Sequence, residues 1–253
     1  MTQCTIAKKR VSVYPSAAPN KPVLYLHTYA DEGDAAYRAM QQAGCPDFTL
    51  IAISGLDWNR DMVPWDIPPV TGQGMPCTGG ADAYLRCLLQ EILPEAERAV
   101  RGRVPWRGIA GYSLGGLFAL YALCRSDCFA RAASMSGSLW FPNFSAYIQA
   151  HGMQNHPSHV YFSLEARRAR HGTDICAPSG RTPRRLRRFI AAKAWIRHWR
   201  STPAATIKTC PPALRRAWLG FCSDEAMRRE DNENDRARYY SQKCAHKVKP
   251  AGR

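Results

Sequence analysis

Gly111-Tyr-Ser-Leu-Gly115 has the residue types and the spacing of a nucleophilic turn. Glycines two positions before and two after a serine allow a strand to turn sharply into a helix, which lifts the serine Oγ above the sheet. The surroundings suit that geometry. Gly108-Ile-Ala110 ahead of it is a short apolar strand, and Gly116–Cys124 behind it is an apolar helix. The chemistry this prescribes is acyl transfer: Ser113 Oγ attacks a carbonyl, and the backbone N–H of Leu114, at the helix N-terminus, faces the developing oxyanion. A second oxyanion donor is expected from the loop after an early strand. Here that loop is His27-Thr-Tyr-Ala-Asp-Glu-Gly33, so the backbone of Thr28 or Tyr29 is the candidate. His27 precedes the serine and ends a strand, which reads as a packed histidine and not as the base.

The elements that must hold these groups are legible as alternating strands and helices. Val23–His27, Phe48–Ile53, Gly108–Ala110, Ala132–Ser136 and Val160–Leu164 are short apolar runs and are predicted as buried strands. Helices are predicted over Ala35–Ala43, over Ala81–Val100, where Tyr84, Leu85, Leu88, Leu89, Ile92 and Leu93 recur at helical spacing, and over Leu117–Cys124, which is apolar nearly all round. This alternation predicts an α/β fold with a doubly wound, mainly parallel sheet, which places active groups at the carboxyl ends of its strands. The segment 55–80 is rich in proline and glycine, carries Trp58 and Trp65, and has no periodicity. A loop of this length is expected to line a pocket, the plainer reading being a surface loop tied down by its own tryptophans.

Charge divides the chain at about Leu164. Residues 1–164 carry 13 Lys+Arg against 12 Asp+Glu, and residues 165–253 carry 22 against 8, so the tail holds nearly all of the net charge of +15. The organisation expected is an N-terminal arm over 1–19, an α/β core over 20–164, and a basic, Arg-rich, poorly ordered tail over 165–253. Met1 to Val13 lacks the apolar run of a secretory signal, and no stretch approaches 18 apolar residues. Ten cysteines without C-x-x-C or zinc-like spacing read as free thiols, and the expected compartment is cytoplasmic.

Five stretches carry a family resemblance. They are Pro22–Thr28 (P-V-L-Y-L-H-T), Ser54–Trp65 (S-G-L-D-W-N-R-D-M-V-P-W), Pro76–Leu85 (P-C-T-G-G-A-D-A-Y-L), Gly111–Gly116 (G-Y-S-L-G-G) and Ser136–Trp140 (S-G-S-L-W). In these the body resembles the esterase branch of the α/β-hydrolase fold that includes the enterochelin (ferric-siderophore) esterases and the esterase D-like enzymes. The resemblance implies a serine hydrolase without cofactor or metal, acting on a small-molecule ester, with ferric siderophores among the candidates and neither nucleic acid nor membrane as partner. It makes Trp58, Asn59, Arg60, Trp65 and Trp140 the candidate substrate wall. Arg60 could pair with an anionic catecholate or carboxylate, or be a solvated loop arginine. The resemblance also implies a histidine base and an acidic orienter, both C-terminal to Ser113.

Neither partner follows in its expected setting. In the family, the strand ending Tyr-Phe-Ser-Leu leads into a glycine and a short acidic, arginine-containing segment, and a Gly-x-His turn comes some 40 residues later. This chain has Glu165-Ala-Arg-Arg-Ala-Arg170 and no Gly-x-His at any position. Back-translating the tail and reading it one base earlier makes Thr202–Pro211 compatible with N-P-G-S-H-Y-K-N-V-P, Glu165–Arg170 with G-S-E-A-R-T, and Ala217–Phe221 with G-M-A-W-L. Acidic segment, histidine turn and final helix return in order and at family spacing. The expectation is a frameshift near residues 164–167, which leaves an impaired enzyme. A tail that completes the sheet with a strand and also supplies a well-buried core would overturn it. The alternative is a non-catalytic binding protein whose basic tail contacts nucleic acid.

Overall fold

The structure, a computed structural model, describes residues 1–69, 74–154, 156–166 and 198–203. The chain opens with β1 (Thr2–Ile6), β2 (Lys9–Tyr14), β3 (Val23–His27), α1 (Gly33–Gln42) and β4 (Thr49–Ser54). Next come α2 (Trp58–Asp61), β5 (Asp66–Ile67), β6 (Cys77–Thr78), α3 (Ala81–Cys87) and α4 (Leu93–Ala96). The remaining elements are β7 (Arg107–Tyr112), α5 (Leu114–Arg125), β8 (Arg131–Met135), α6 (Phe144–His151), β9 (His159–Ala166) and β10 (His198–Pro203). Eight strands form one mixed sheet in the order β1-β2-β4-β3-β7-β8-β9-β10. β1 and β2 pair antiparallel, as do β2 and β4, and every pairing from β4 through β10 is parallel.

Parallel strands must be covered on both faces, so their sequences read as continuous apolar runs. Every residue of β3 and of β4 is buried. Alternate side chains divide between two cores: Val23, Tyr25, Ile51, Ile53 and Ile109 face α3, α5 and α6, while Leu24, Leu26, Leu50, Ala52 and Ala110 face α1. α5 is buried on every side from Leu114 to Cys124, which explains its lack of a polar stripe. Leu117, Phe118, Leu120 and Leu123 are each fully buried, and each such side chain contributes about 1.5–3 kcal/mol of transfer free energy.

Three features differ from the expectations. Residues 1–19 are not a separate arm, because β1 and β2 extend the sheet and Val11, Val13 and Tyr14 enter its cores. The two-residue turn joining them is Ala7-Lys8, both at positive φ (49° and 62°). Such turns normally announce themselves as Asn-Gly or Asp-Gly, so this hairpin has no turn signal in its sequence. The predicted helix Ala81–Val100 is also interrupted. A π-turn at Leu88–Ile92, in which the Leu93 N–H reaches back to the Leu88 carbonyl, precedes Pro94. The proline ring would clash with the carbonyl four residues earlier in a regular helix, and the wider turn relieves this.

The third difference concerns the tail. β10 lies beyond residue 164 and pairs parallel with β9, Trp199 opposite Phe162 and Pro203 opposite Ala166. One of the two conditions that would overturn the frameshift, a strand completing the sheet, is therefore met. The other, a buried core from the tail, falls on positions outside the described residues, as does the tail's predicted poor order. Between Cys4 and Cys128 the six cysteines form no disulfide. Among the described residues no helix is long and apolar enough to cross a membrane.

Candidate active site

β7 ends at Tyr112 and α5 begins at Leu114, so Ser113 alone makes the turn between them. Its backbone is at φ 54°, ψ −118°, a region that costs a non-glycine residue about 1–3 kcal/mol. Neighbouring contacts hold it there. The Ser113 N–H donates to the Met135 carbonyl (3.0 Å), and its carbonyl accepts from the N–H groups of Gly116 (3.1 Å), Leu117 (3.1 Å) and Ser138 (3.0 Å). Gly111 is required by close approach: a β-carbon there would stand 2.4 Å from the Gly115 carbonyl carbon, inside any real contact distance. The serine thus sits at the carboxyl end of a central strand, at the amino end of a helix of twelve residues, with the Leu114 N–H in that helix's first turn.

The two candidates for the second oxyanion donor separate. The Thr28 N–H donates to the Ile53 carbonyl (2.9 Å), and the Thr28 hydroxyl also bonds Ile53 (3.1 Å), so Thr28 continues the β3–β4 pairing and is removed from the site. Tyr29 is left as the candidate. Its ring is 72% exposed and meets Trp58 edge-on, with centroids 5.5 Å apart. Trp58 is itself close to the serine: its ring edge lies 3.1 Å from where a β-carbon on Gly115 would be.

Of the other wall candidates, Asn59 and Arg60 follow Trp58 on the short α2, with Asn59 half-buried. The Arg60 Nε donates to Asp61 Oδ1 (3.1 Å) and lies 3.8 Å from Asp57, so its charge is already partnered within its own loop. Asp61 is buried, pairs with Lys9 from β2, and accepts the Asp57 N–H at 3.0 Å. This buried pair fastens the tryptophan loop to the N-terminal hairpin, a role not apparent in the sequence. Trp65 is a brace: its indole N–H donates to the Pro142 carbonyl (3.1 Å), and its ring packs on Phe141 and Tyr147. It therefore joins the loop to the β8–α6 connection, which carries Trp140, half-buried, beside Phe141. Within the loop β5 and β6 pair as a small antiparallel ribbon.

His27 is fully buried between the rings of Tyr84 and Phe118, with centroids at 5.6 and 5.0 Å. Its Nδ1 donates to the Ala110 carbonyl (3.3 Å), while Nε2 has no partner among the described residues. Burial disfavours the imidazolium and lowers the pKa to about 4. This is a packed, neutral histidine. The other histidines with described side chains lie at the far edge of the sheet. His159 opens β9 opposite Arg131, which pairs with Gly108, five residues before Ser113, so a strand length of about 16 Å separates the two. His151 ends α6 and is stacked on Tyr147 at 4.1 Å, and the segment holding His156 is tied to the Leu123 and Ala130 carbonyls by the Gln154 and Ser158 N–H groups. No described histidine reaches Ser113. Its hydroxyl meets another serine, Ser138, at 3.3 Å. No group of three His, Cys, Asp or Glu among the described residues could hold a metal.

The fold has counterparts among known proteins. A Bacillus subtilis (strain 168) protein named Uncharacterized protein YbbA is 26% identical over 140 residues, covering 54% of this chain and 56% of the relative, so the chain matches only about half of that protein's length. Among solved structures, an IroE-like serine hydrolase from Shewanella oneidensis superposes with a TM-score of 0.64 at 16% identity, covering 85% of this chain and 74% of the other. The siderophore hydrolase EstA from Aspergillus nidulans gives 0.61 at 18% identity, covering 87% and 92%. At such identities these two comparisons establish a shared fold. The match to the family described as Putative esterase runs over residues 8–207, most of the chain and every described element from β2 through β10, and the chain belongs to that esterase family.

Proposed function

We propose that this chain descends from serine hydrolases that cleave small carboxylic esters and that Ser113 is the nucleophile. The observation carrying this reading is the backbone of Ser113, a non-glycine residue held at positive φ on a strand-to-helix turn at the carboxyl edge of the sheet. In the intact reaction Ser113 Oγ adds to the ester carbonyl and a histidine takes its proton. The Leu114 and Tyr29 N–H groups hold the oxyanion, the alcohol leaves, and water releases the acyl-enzyme. Trp58, whose ring edge lies against Gly115, and Tyr29, which meets Trp58 edge-on, offer aromatic surface near the serine, which suits an ester carrying an aromatic group. Arg60, already paired with Asp61, is the weaker choice for binding an anion.

The base is the missing part, and we propose that the reading frame changes near residues 164–167. Three observations support this: the jump in positive charge, the absence of any Gly-x-His, and the return of that turn in the alternate frame. The family match and β10 both continue beyond that point, so part of the pattern persists across it. Active groups follow the carboxyl ends of parallel strands, and the alternate frame writes its histidine over Thr206, three codons after β10 ends at Pro203.

Without its histidine a triad enzyme keeps only what the oxyanion hole and binding supply, roughly 10³–10⁴-fold over water. The purified chain should therefore hydrolyse a p-nitrophenyl ester barely faster than its Ser113→Ala variant. A turnover near the enzyme median of about 10 per second would show that another base serves.

A further inference from the structure

The β8–α6 connection closes over the start of α5 and brings a second serine to the first. Ser138 is 4% exposed, its N–H donates to the Ser113 carbonyl (3.0 Å), and its Oγ stands 3.3 Å from Ser113 Oγ. The segment has little freedom to move. The Ser138 carbonyl accepts from the Phe141 N–H (3.0 Å), and a β-carbon on the adjacent Gly137 would meet Ser134 Oγ at 2.1 Å. Ser136, two residues earlier, is held at φ 45°.

The strained backbone of Ser113 fixes the direction of its Cα–Cβ bond but leaves its hydroxyl three staggered positions. A neighbouring group must choose among them, and among the described residues the group in reach is the Ser138 hydroxyl. We propose that Ser138 is a positioning residue for Ser113, its O–H donating to the nucleophile's Oγ. This rests on the reading of Ser113 as nucleophile. The separation of 3.3 Å exceeds the 2.5–3.0 Å of a good hydroxyl pair, so the resting contact is weak. Bonds to an anionic oxygen are shorter and stronger, so the contact tightens as the Ser113 proton passes to the base, the histidine of the intact reaction or hydroxide in this chain, and charge builds on Oγ as it attacks. An interaction stronger in the transition state than in the ground state lowers the barrier. Ser138 exchanges no proton and forms no bond to substrate. It orients the attacking oxygen and supports its charge.

The test is the rate at which a fluorophosphonate labels Ser113 in the full chain, read by intact mass, with Ser113→Ala as the blank and the thermal midpoint measured in parallel. Ser138→Ala should label about tenfold more slowly at a midpoint within a few degrees of the parent, and Ser138→Thr, which keeps a hydroxyl, should recover part of the rate. If Ser138→Ala does not fold, Ser138→Cys keeps the volume with a much weaker donor and should show the same slowing. Labelling at the parent rate in a folded Ser138→Ala or Ser138→Cys overturns the role. So does a loss of rate and midpoint together that Ser138→Thr does not recover, since a purely structural serine would behave that way. Labelling is run at about pH 9, where hydroxide takes the Ser113 proton in place of the missing histidine; if the parent chain then takes no label at Ser113, the nucleophile reading falls, and this proposal falls with it.

Discussion

His27 shows how burial settles what one residue can do. The same residue type that serves as a base when half-exposed beside a serine is here enclosed by Tyr84 and Phe118, neutral, with its pKa pushed down to about 4. An unfolded histidine titrates near 6.5, so as pH falls the unfolded chain takes up the proton first. Stability from this group is therefore complete above about pH 6.5, declines between 6.5 and 4, and is flat below. At pH 5 the loss should be about 2 kcal/mol relative to pH 7.5. Urea unfolding of the parent and of His27→Phe at both pH values checks this: the gap between them should narrow by about 2 kcal/mol at pH 5. Parallel profiles would mean that His27 is not the enclosed neutral group described.

At the scale of elements, the elbow depends on how closely β7 and α5 approach. A methyl group on Gly111 would meet the carbonyl carbon and oxygen of Gly115 at 2.4 and 2.5 Å, and backbone cannot move aside as a flexible side chain can. Gly111→Ala should cost roughly 3 kcal/mol, at the upper end for overpacking, and lower the thermal midpoint by about 6–12 °C. A midpoint within 2 °C of the parent would show that the contact is looser than described. The tryptophan loop depends on tethers of another kind: the Lys9–Asp61 pair beneath it and the Trp65 indole on Pro142 beside it. Both partners come from parts of the chain distant in sequence, so the loop's composition announces its length and aromatic content but not its anchors.

Across the whole molecule, the body and the tail answer to one experiment. The gene read across codons 160–170 and onward in the alternate frame should contain a histidine codon overlapping Thr206 and an acidic codon overlapping Arg167. A chain restored to that frame should lose most of the tail's excess of 22 Lys+Arg over 8 Asp+Glu. Its esterase activity and its thermal midpoint should rise together, because one segment would supply both the base and part of the core. If the restored chain folds cooperatively and stays inactive, the frameshift stands and the hydrolase reading falls. If the nucleotides encode no such frame, β10 and the family match through residue 207 become the natural extension of the sheet, and the base must be sought elsewhere.

Patterns local in the chain were readable in advance. Apolar runs of three to six residues marked β3, β4, β7, β8 and β9 within a residue or two of their observed ends, because strands buried on both faces admit little else. Gly111-Tyr-Ser-Leu-Gly115 marked the elbow because its geometry needs small residues at fixed offsets. What the sequence left open were matters of contact between distant segments. Thr28 and Tyr29 looked equivalent as oxyanion donors until β4 took the Thr28 amide. Arg60 looked available until Asp61 met it. The N-terminal hairpin lacked its turn signal, and Ser138 was one residue of a familiar stretch until the β8–α6 connection set it against Ser113. A hydrogen bond depends on distances of a few tenths of an ångström between groups far apart in the chain, such as Trp65 and Pro142, and only the folded chain fixes those distances.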